Sequence, residues 1–254
     1  MTGKECLKMQ KIGLSSFQLK FVALLFMTLD NVPILLNQEP FPYYHIFSRF
    51  VGVLFAYLLV QGFFRTSDRT KYFARLAIAG IIMWGGNKLV AYLTGNDAPI
   101  GHSMFLTLAV GFGAIWIFEW SRKQAETMQG RLIAFTAGAV VSVMAMIYTE
   151  GGFYIIPVIV ASYFLYGKKW WLSLVIIAIS AVLALTSITY NTSGEIQWDL
   201  FFSVNCDWAM VSVIPFILLY NGRRGPRNGF AKWMFYVYYP LHIWVFTIVG
   251  TFLM

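Results

Sequence analysis

Apolar residues along the chain gather into nine runs of helix length, set apart by short polar turns: Phe17–Leu36, Ile46–Phe64, Tyr72–Leu93, Ser103–Trp120, Leu132–Tyr148, Phe153–Tyr166, Trp170–Ile188, Leu200–Tyr220 and Trp233–Leu253. A helix that spans a bilayer needs about 20 largely apolar residues. The sixth run is short by that standard and follows the Gly151–Gly152 pair. The pattern predicts an all-α polytopic transmembrane bundle of about nine helices, one integral domain over residues 1–254 with a polar cytoplasmic segment at 1–15.

Charge sets the direction of the crossings. With the N-terminus inside and nine crossings, one face receives Lys4, Lys8, Lys11 and Lys20, then Arg65, Arg69, Lys71 and Arg75. Arg122, Lys123, Arg131, Lys168 and Lys169 follow, and finally Arg223, Arg224, Arg227 and Lys232. The loops of the other face carry no Lys or Arg. Lysine and arginine in short loops resist translocation, so this alternation places the N-terminus in the cytoplasm and the C-terminus outside, in the plasma membrane. Omitting the sixth helix would send the last basic cluster outward, so nine crossings fit better than eight.

Composition agrees: 59% of the 254 residues are hydrophobic and 12% are charged, against about 25% charged in soluble domains. The formal charge of +8 is explained by topology, because its cations lie in the turns; nucleic-acid binding is excluded on that ground. Cys6 and Cys206 lie on opposite sides of a membrane by this reading, which argues against a disulfide and against a thiolate metal site. The first apolar run carries no small-x-small cleavage pattern and reads as a retained helix.

Ionisable side chains inside apolar helices are costly and usually face a bundle interior or a water-filled path. Asp30 lies ten residues past Lys20, which puts it about 15 Å deeper. Arg49, Lys88, Glu150 and Asp207 occupy the outer half, His242 lies near the bilayer centre, and His45 and His102 stand at the outer rim. Together they predict a polar cavity open to the outside. Each has a structural alternative. Arg49 and Lys88 also fit snorkelling to headgroups, Asp30 an ion pair with Arg49, Asp207 a local pair, Glu150 a solvated loop, His242 a buried histidine with one partner, and His45 a solvated one. Pro240, two residues before His242, kinks the last helix and can turn that ring toward the cavity.

Several stretches, taken in order, resemble the TraX family of membrane proteins. They are Ser16-Phe17-Gln18-Leu19-Lys20 with Met27-Thr28-Leu29-Asp30, then Phe47-Ser48-Arg49-Phe50, Gln61-Gly62-Phe63 and Lys71-Tyr72-Phe73-Ala74-Arg75-Leu76. Further on come Phe105-Leu106-Thr107-Leu108, Glu150-Gly151-Gly152-Phe153-Tyr154, Leu219-Tyr220-Asn221-Gly222-Arg223-Arg224 and Tyr238-Tyr239-Pro240-Leu241-His242. The resemblance implies an acyltransferase with acetyl-CoA as donor and no metal, similar to the multi-pass enzymes that acylate a pilin N-terminus or a cell-wall sugar outside the cytoplasm. Two positions depart from the family pattern. Asp30-Asn31 stands where the family commonly has Asp-His, and Ser103, preceded by His102, where it often has Asn.

The expected roles follow from that implication. His242 serves as general base, oriented by Asp30 or Asp207, while Arg49 holds the acceptor or an oxyanion. Lys88, His102, Glu150 and Asp207 bind the acceptor. Arg65, Arg75, Arg223 and Arg224 bind the phosphates of the donor, for which arginine is suited. Two alternatives use the same residues: a small-molecule transporter or flippase, and a non-catalytic immunity or assembly protein, to which Asn31 points. The sequence leaves the acceptor, the acyl group and the oligomeric state open.

Overall fold

The computed structural model describes residues 13–36, 44–95, 103–123, 126–226 and 228–252, and they are almost entirely helical. Helix α1 (Ser16–Asp30) starts at a capping box. Gln18 N–H donates to Ser15 Oγ at 3.3 Å, and Ser15 N–H donates to Gln18 Oε1 at 2.8 Å, so two amides left open by the first turn are satisfied. The helix stops at Asn31 and resumes as α2 (Val32–Leu36). Pro33 is the cause, since it has no N–H to donate back and its ring crowds the carbonyl four residues earlier.

After a 3-10 turn at Tyr44–Phe47 comes α3 (Phe50–Arg65), then α4 (Arg69–Thr94), α5 (Met104–Lys123) and α6 (Met128–Tyr148). Helices α3 and α5 are buried on most of their surface and form the centre of the bundle. The helices around them, including α8 (Lys169–Thr186) and α11 (Gly229–Phe252), expose rows of large apolar side chains such as Ile81, Ile82, Trp84, Leu132, Ile133, Trp171, Leu174 and Val245. Water penalises such a surface and hydrocarbon does not. Eight stretches of the described chain are long and apolar enough to cross a membrane. The protein is a polytopic helical membrane bundle.

The sixth run behaves differently from the other crossings. Helix α7 (Gly152–Phe164) has 13 residues with Pro157 inside it, about 20 Å of helix, too short for a hydrocarbon core of about 30 Å. It is packed among α3, α5 and α6, with most of its residues buried and Phe153 and Phe164 exposed. Its Tyr163 reaches Glu119 near the end of α5, while its start adjoins Glu150 at the other end of the bundle. It stands as a shorter apolar helix beside the eight stretches long enough to cross.

The basic turns converge on one face. Arg69 and Lys123 both pair with Glu119, at 3.4 and 2.6 Å. Lys169 donates to the Leu218 and Tyr220 carbonyls, and Arg65 to the Tyr220 hydroxyl. Residues 13–17 lie alongside 219–224: Leu14 N–H donates to Leu219 O at 2.8 Å, Asn221 N–H to Leu14 O at 3.0 Å and Ser16 N–H to Arg223 O at 2.8 Å. Arg227 and the lysines before residue 13 lie outside the described residues.

The eighth apolar run is broken into α9 (Trp198–Ser203), a 3-10 segment Cys206–Val213, and α10 (Ile214–Leu219). Pro215 prevents the amide bond back to Val211 that an α-helix requires, and Ile214 N–H closes the tighter turn to Val211 instead. An eight-residue 3-10 stretch is uncommon, and non-helical backbone at membrane depth occurs where protein or a cavity surrounds it.

Candidate active site

Both helix breaks lie beside the same cavity. This outer cavity, so called because it lies away from the basic face, has a volume of about 210 Å³ and is lined by Asp30 and Asn31 of the first break, Arg49 and Gly52 before and within α3, Asn87 of α4, Glu150 and Tyr154 at the α6–α7 turn, and Tyr239 of α11. From the second break, Asp207 reaches Arg49 at 3.3 Å and the Cys206 sulfur accepts from Arg49 Nε at 3.3 Å. The guanidinium is thus held on two edges beside Tyr154, an arrangement suited to an oxyanion or a carboxylate.

Asp30 is bonded to a histidine, His45, whose Nδ1 lies 2.8 Å from Asp30 Oδ1. A carboxylate on Nδ1 fixes the ring and leaves Nε2 as the basic nitrogen. In sequence His45 reads as a rim residue, and the fold sets the 3-10 turn that carries it against the end of α1. The Asp-His pairing that Asn31 removes from the chain's local pattern therefore exists in space through His45.

His242 is buried, stacked on the Tyr238 ring at 5.2 Å. Its Nδ1 lies 3.0 Å from the Tyr238 carbonyl, which only accepts, so Nδ1 carries the proton and Nε2 accepts from Asn31 Nδ2 at 3.3 Å. Asn31 Nδ2 also donates to the Met27 carbonyl at 2.8 Å. His242 thus stands behind the cavity wall, with Asn31 between it and the open volume.

The other expected acceptor contacts divide. Glu150 lines the cavity, and Asp207 acts on it through Arg49. Lys88 is exposed and outside the lining, one residue and about 100° around the helix from Asn87, which does face the cavity. His102 lies outside the described residues.

A second, inner cavity of about 770 Å³ opens at the basic face. Its lining carries the cations Lys20, Arg65, Lys71, Arg75 and Arg224 against one carboxylate, Asp68. Arg65 bonds the Tyr220 hydroxyl, and Arg75 lies over the Tyr72 ring at 5.6 Å from its centroid. Three of the four arginines expected to hold phosphate, Arg65, Arg75 and Arg224, line this cavity; Arg223 is exposed and contributes its backbone carbonyl to Ser16 instead. Asp68 caps α4 by accepting from Lys71 N–H at 2.9 Å, and this bond holds its carboxyl below the ordinary 3.8.

Sequence reasoning passed over Glu119, whose carboxylate takes the Tyr163 hydroxyl at 2.6 Å besides Arg69 and Lys123. The i,i+4 spacing to Lys123 was the readable signal; the Tyr163 partner was not. Among the described residues, no group of three His, Cys, Asp or Glu side chains is placed to hold a metal ion.

The model of the family described as TraX protein matches residues 15–250. The chain belongs to the TraX family. It is also 26% identical, over 252 residues, to the probable fimbrial assembly protein FimC, serogroup H1, of Dichelobacter nodosus, an alignment that covers 92% of this chain and 95% of that relative. No solved structure matches it.

Proposed function

We propose that this TraX-family protein is an acyltransferase of the plasma membrane, with its N-terminus and basic face in the cytoplasm. It takes an acetyl group from acetyl-CoA on that side and passes it to an acceptor on the other. One observation carries the reading: the bundle holds two polar cavities of different chemistry, cationic at the basic face and lined by the carboxyls of Asp30 and Glu150 at the opposite one, with His45 bonded to Asp30. A cavity of about 770 Å³ with five cations fits a bulky polyphosphate donor, and Arg65, Arg75 and Arg224 are the residues that would hold it. The donor supplies an activated acyl carbon.

Beside the outer cavity His45, held by the lining residue Asp30, accepts the proton of the attacking amine or hydroxyl. The acceptor nitrogen or oxygen bonds to the acyl carbon, the carbon–sulfur bond breaks, and the proton ends on the released thiol. Arg49 faces the oxygen on which charge develops. His242 acts as a positioning residue by holding Asn31 in the wall. The printed name of the relative, a fimbrial assembly protein, fits a fimbrial subunit with a free N-terminus as acceptor; a cell-wall sugar fits the same chemistry.

The test is purified protein in proteoliposomes with radiolabelled acetyl-CoA and a peptide amine or sugar acceptor. Label appears on the acceptor if the reading holds. A transporter is the second reading, favoured by the way the two cavities lie end to end on shared helices. Movement of substrate across the bilayer without any acyl transfer would establish it, and inertness in both assays would point to a non-catalytic assembly role.

A further inference from the structure

The two cavities share helices but no lining residue. On α11, Tyr236 lines the inner cavity and Tyr239 the outer one, one turn or about 4.5 Å apart along the axis. On α3, Gly52 lines the outer cavity and Leu58 the inner one, and Phe55 lies between them. The intervening level is filled by aromatic rings. Phe55 stacks on Phe235 with centroids 4.0 Å apart, Phe235 lies over Tyr239 at 5.9 Å, and Phe105 meets both edge-on at 5.0 and 5.2 Å. All four side chains are buried, and of the four only Tyr239 also lines a cavity, the outer one.

We propose that Phe55, Phe105, Phe235 and Tyr239 are the layer through which the transferred group must pass, and that their packing sets its size, admitting a two-carbon acyl group and holding back longer chains. The proposal rests on the acyltransfer reading above. For the acyl carbon to meet an acceptor in the outer cavity, it must cross this layer with its tail attached. The inner cavity, about 770 Å³, does not limit the tail. The outer one, about 210 Å³, must also take the acceptor's end, and the level between is occupied by the four contacting rings. Apolar sites of this kind discriminate between chains differing by one methylene by about 10–200-fold. The rings therefore act as a specificity filter distinct from the proton-transfer and phosphate-holding residues.

The experiment compares the unaltered protein with Phe55→Leu and with Phe55→Ala/Phe235→Ala, using acetyl- and butyryl-CoA in proteoliposomes. The unaltered protein is expected to prefer acetyl by about tenfold or more, and the variants to lose about tenfold of that preference. A second measurement needs no turnover. A cysteine placed at Gly52, with Cys6 and Cys206 replaced by serine, is exposed to a small impermeant cationic thiosulfonate from the basic face. It should stay unlabelled behind the intact layer and become labelled in the double variant, with monodispersity on gel filtration showing that each variant has folded. Acetyl transfer with unchanged chain preference and unchanged labelling overturns the proposal alone. Absence of transfer by the unaltered protein overturns the acyltransfer reading and the size filter with it.

Discussion

Asn31 and His242, 211 positions apart in the chain, meet amide to ring at 3.3 Å on the wall of the outer cavity. The contact fixes the imidazole tautomer, since Nδ1 gives its proton to the Tyr238 carbonyl and Nε2 must accept. It also separates the two histidines by role. His45 is tied to a carboxylate at the cavity, and His242 is tied to a neutral amide behind it.

That division predicts different losses. His45→Ala and Asp30→Asn should each lower the acyl-transfer rate by about 10²–10⁴-fold, the range for removing a general base or its support. His242→Ala should cost about tenfold or less in rate and about 1–3 kcal/mol in stability, because the buried ring is removed and the half-buried Asn31 amide loses one of its two partners. Initial rates and thermal unfolding of the three variants in the same detergent check this. A His242→Ala variant as dead as His45→Ala would return the base to His242.

Tyr163→Phe should destabilise the bundle by about 1.5–3 kcal/mol, since it deletes one hydrogen bond to the charged, nearly inaccessible Glu119 while leaving the ring in place. The midpoint of unfolding in mixed micelles reads the change. A midpoint equal to that of the unaltered protein would mean that Lys123 and Arg69 satisfy Glu119 without it.

Gly152→Ala should be strongly destabilising. A Cβ there meets the backbone carbonyls of Ala145 and Met146, the latter at 2.7 Å, and backbone in a packed helix has no room to yield. The neighbouring Gly151 has φ 62°, in the left-handed region that favours glycine. Because this turn carries Glu150 and Tyr154 to the outer cavity, folded Gly152→Ala protein should also show weakened acceptor binding, seen as a raised KM. Unchanged stability and KM would show that the α6–α7 turn relaxes freely.

The Asp68 cap has a defined pH window. Its folded carboxyl titrates below its ordinary 3.8, so its contribution is complete above that value and is lost as pH falls through the lower folded value. The stability difference between the unaltered protein and Asp68→Ala should therefore be constant from pH 7 to about 5 and close below about 4. Thermal melts at stepped pH measure it, and a difference that persists in strong acid would contradict the assignment.

The crossings were legible in the sequence because hydrocarbon imposes a length and the turns carry the charge. The Asp30, Arg49, Glu150 and Asp207 neighbourhood was legible for a related reason: carboxylates and guanidinium in apolar helices have few places to go. His45 was not, because Asp30 lies 15 positions away and nothing local in the chain encodes their contact. Lys88 and Arg223 show the opposite failure. Both have the right charge at the right depth, but helix phase in one case and a backbone pairing in the other direct the side chain elsewhere. The break at Cys206–Val213 was signalled by Pro215, although the run reads as continuous by hydropathy alone.

The pairing of residues 13–17 with 219–224 has a temporal meaning. One wall of the inner cavity is built from the first helix and the segment leading into the last, so a ribosome must deliver nearly the whole polypeptide before that chamber exists. Until then Lys20 and its neighbours wait in the half-built bundle without the segment that later closes over them, and a chain halted before residue 219 would lack the inner cavity.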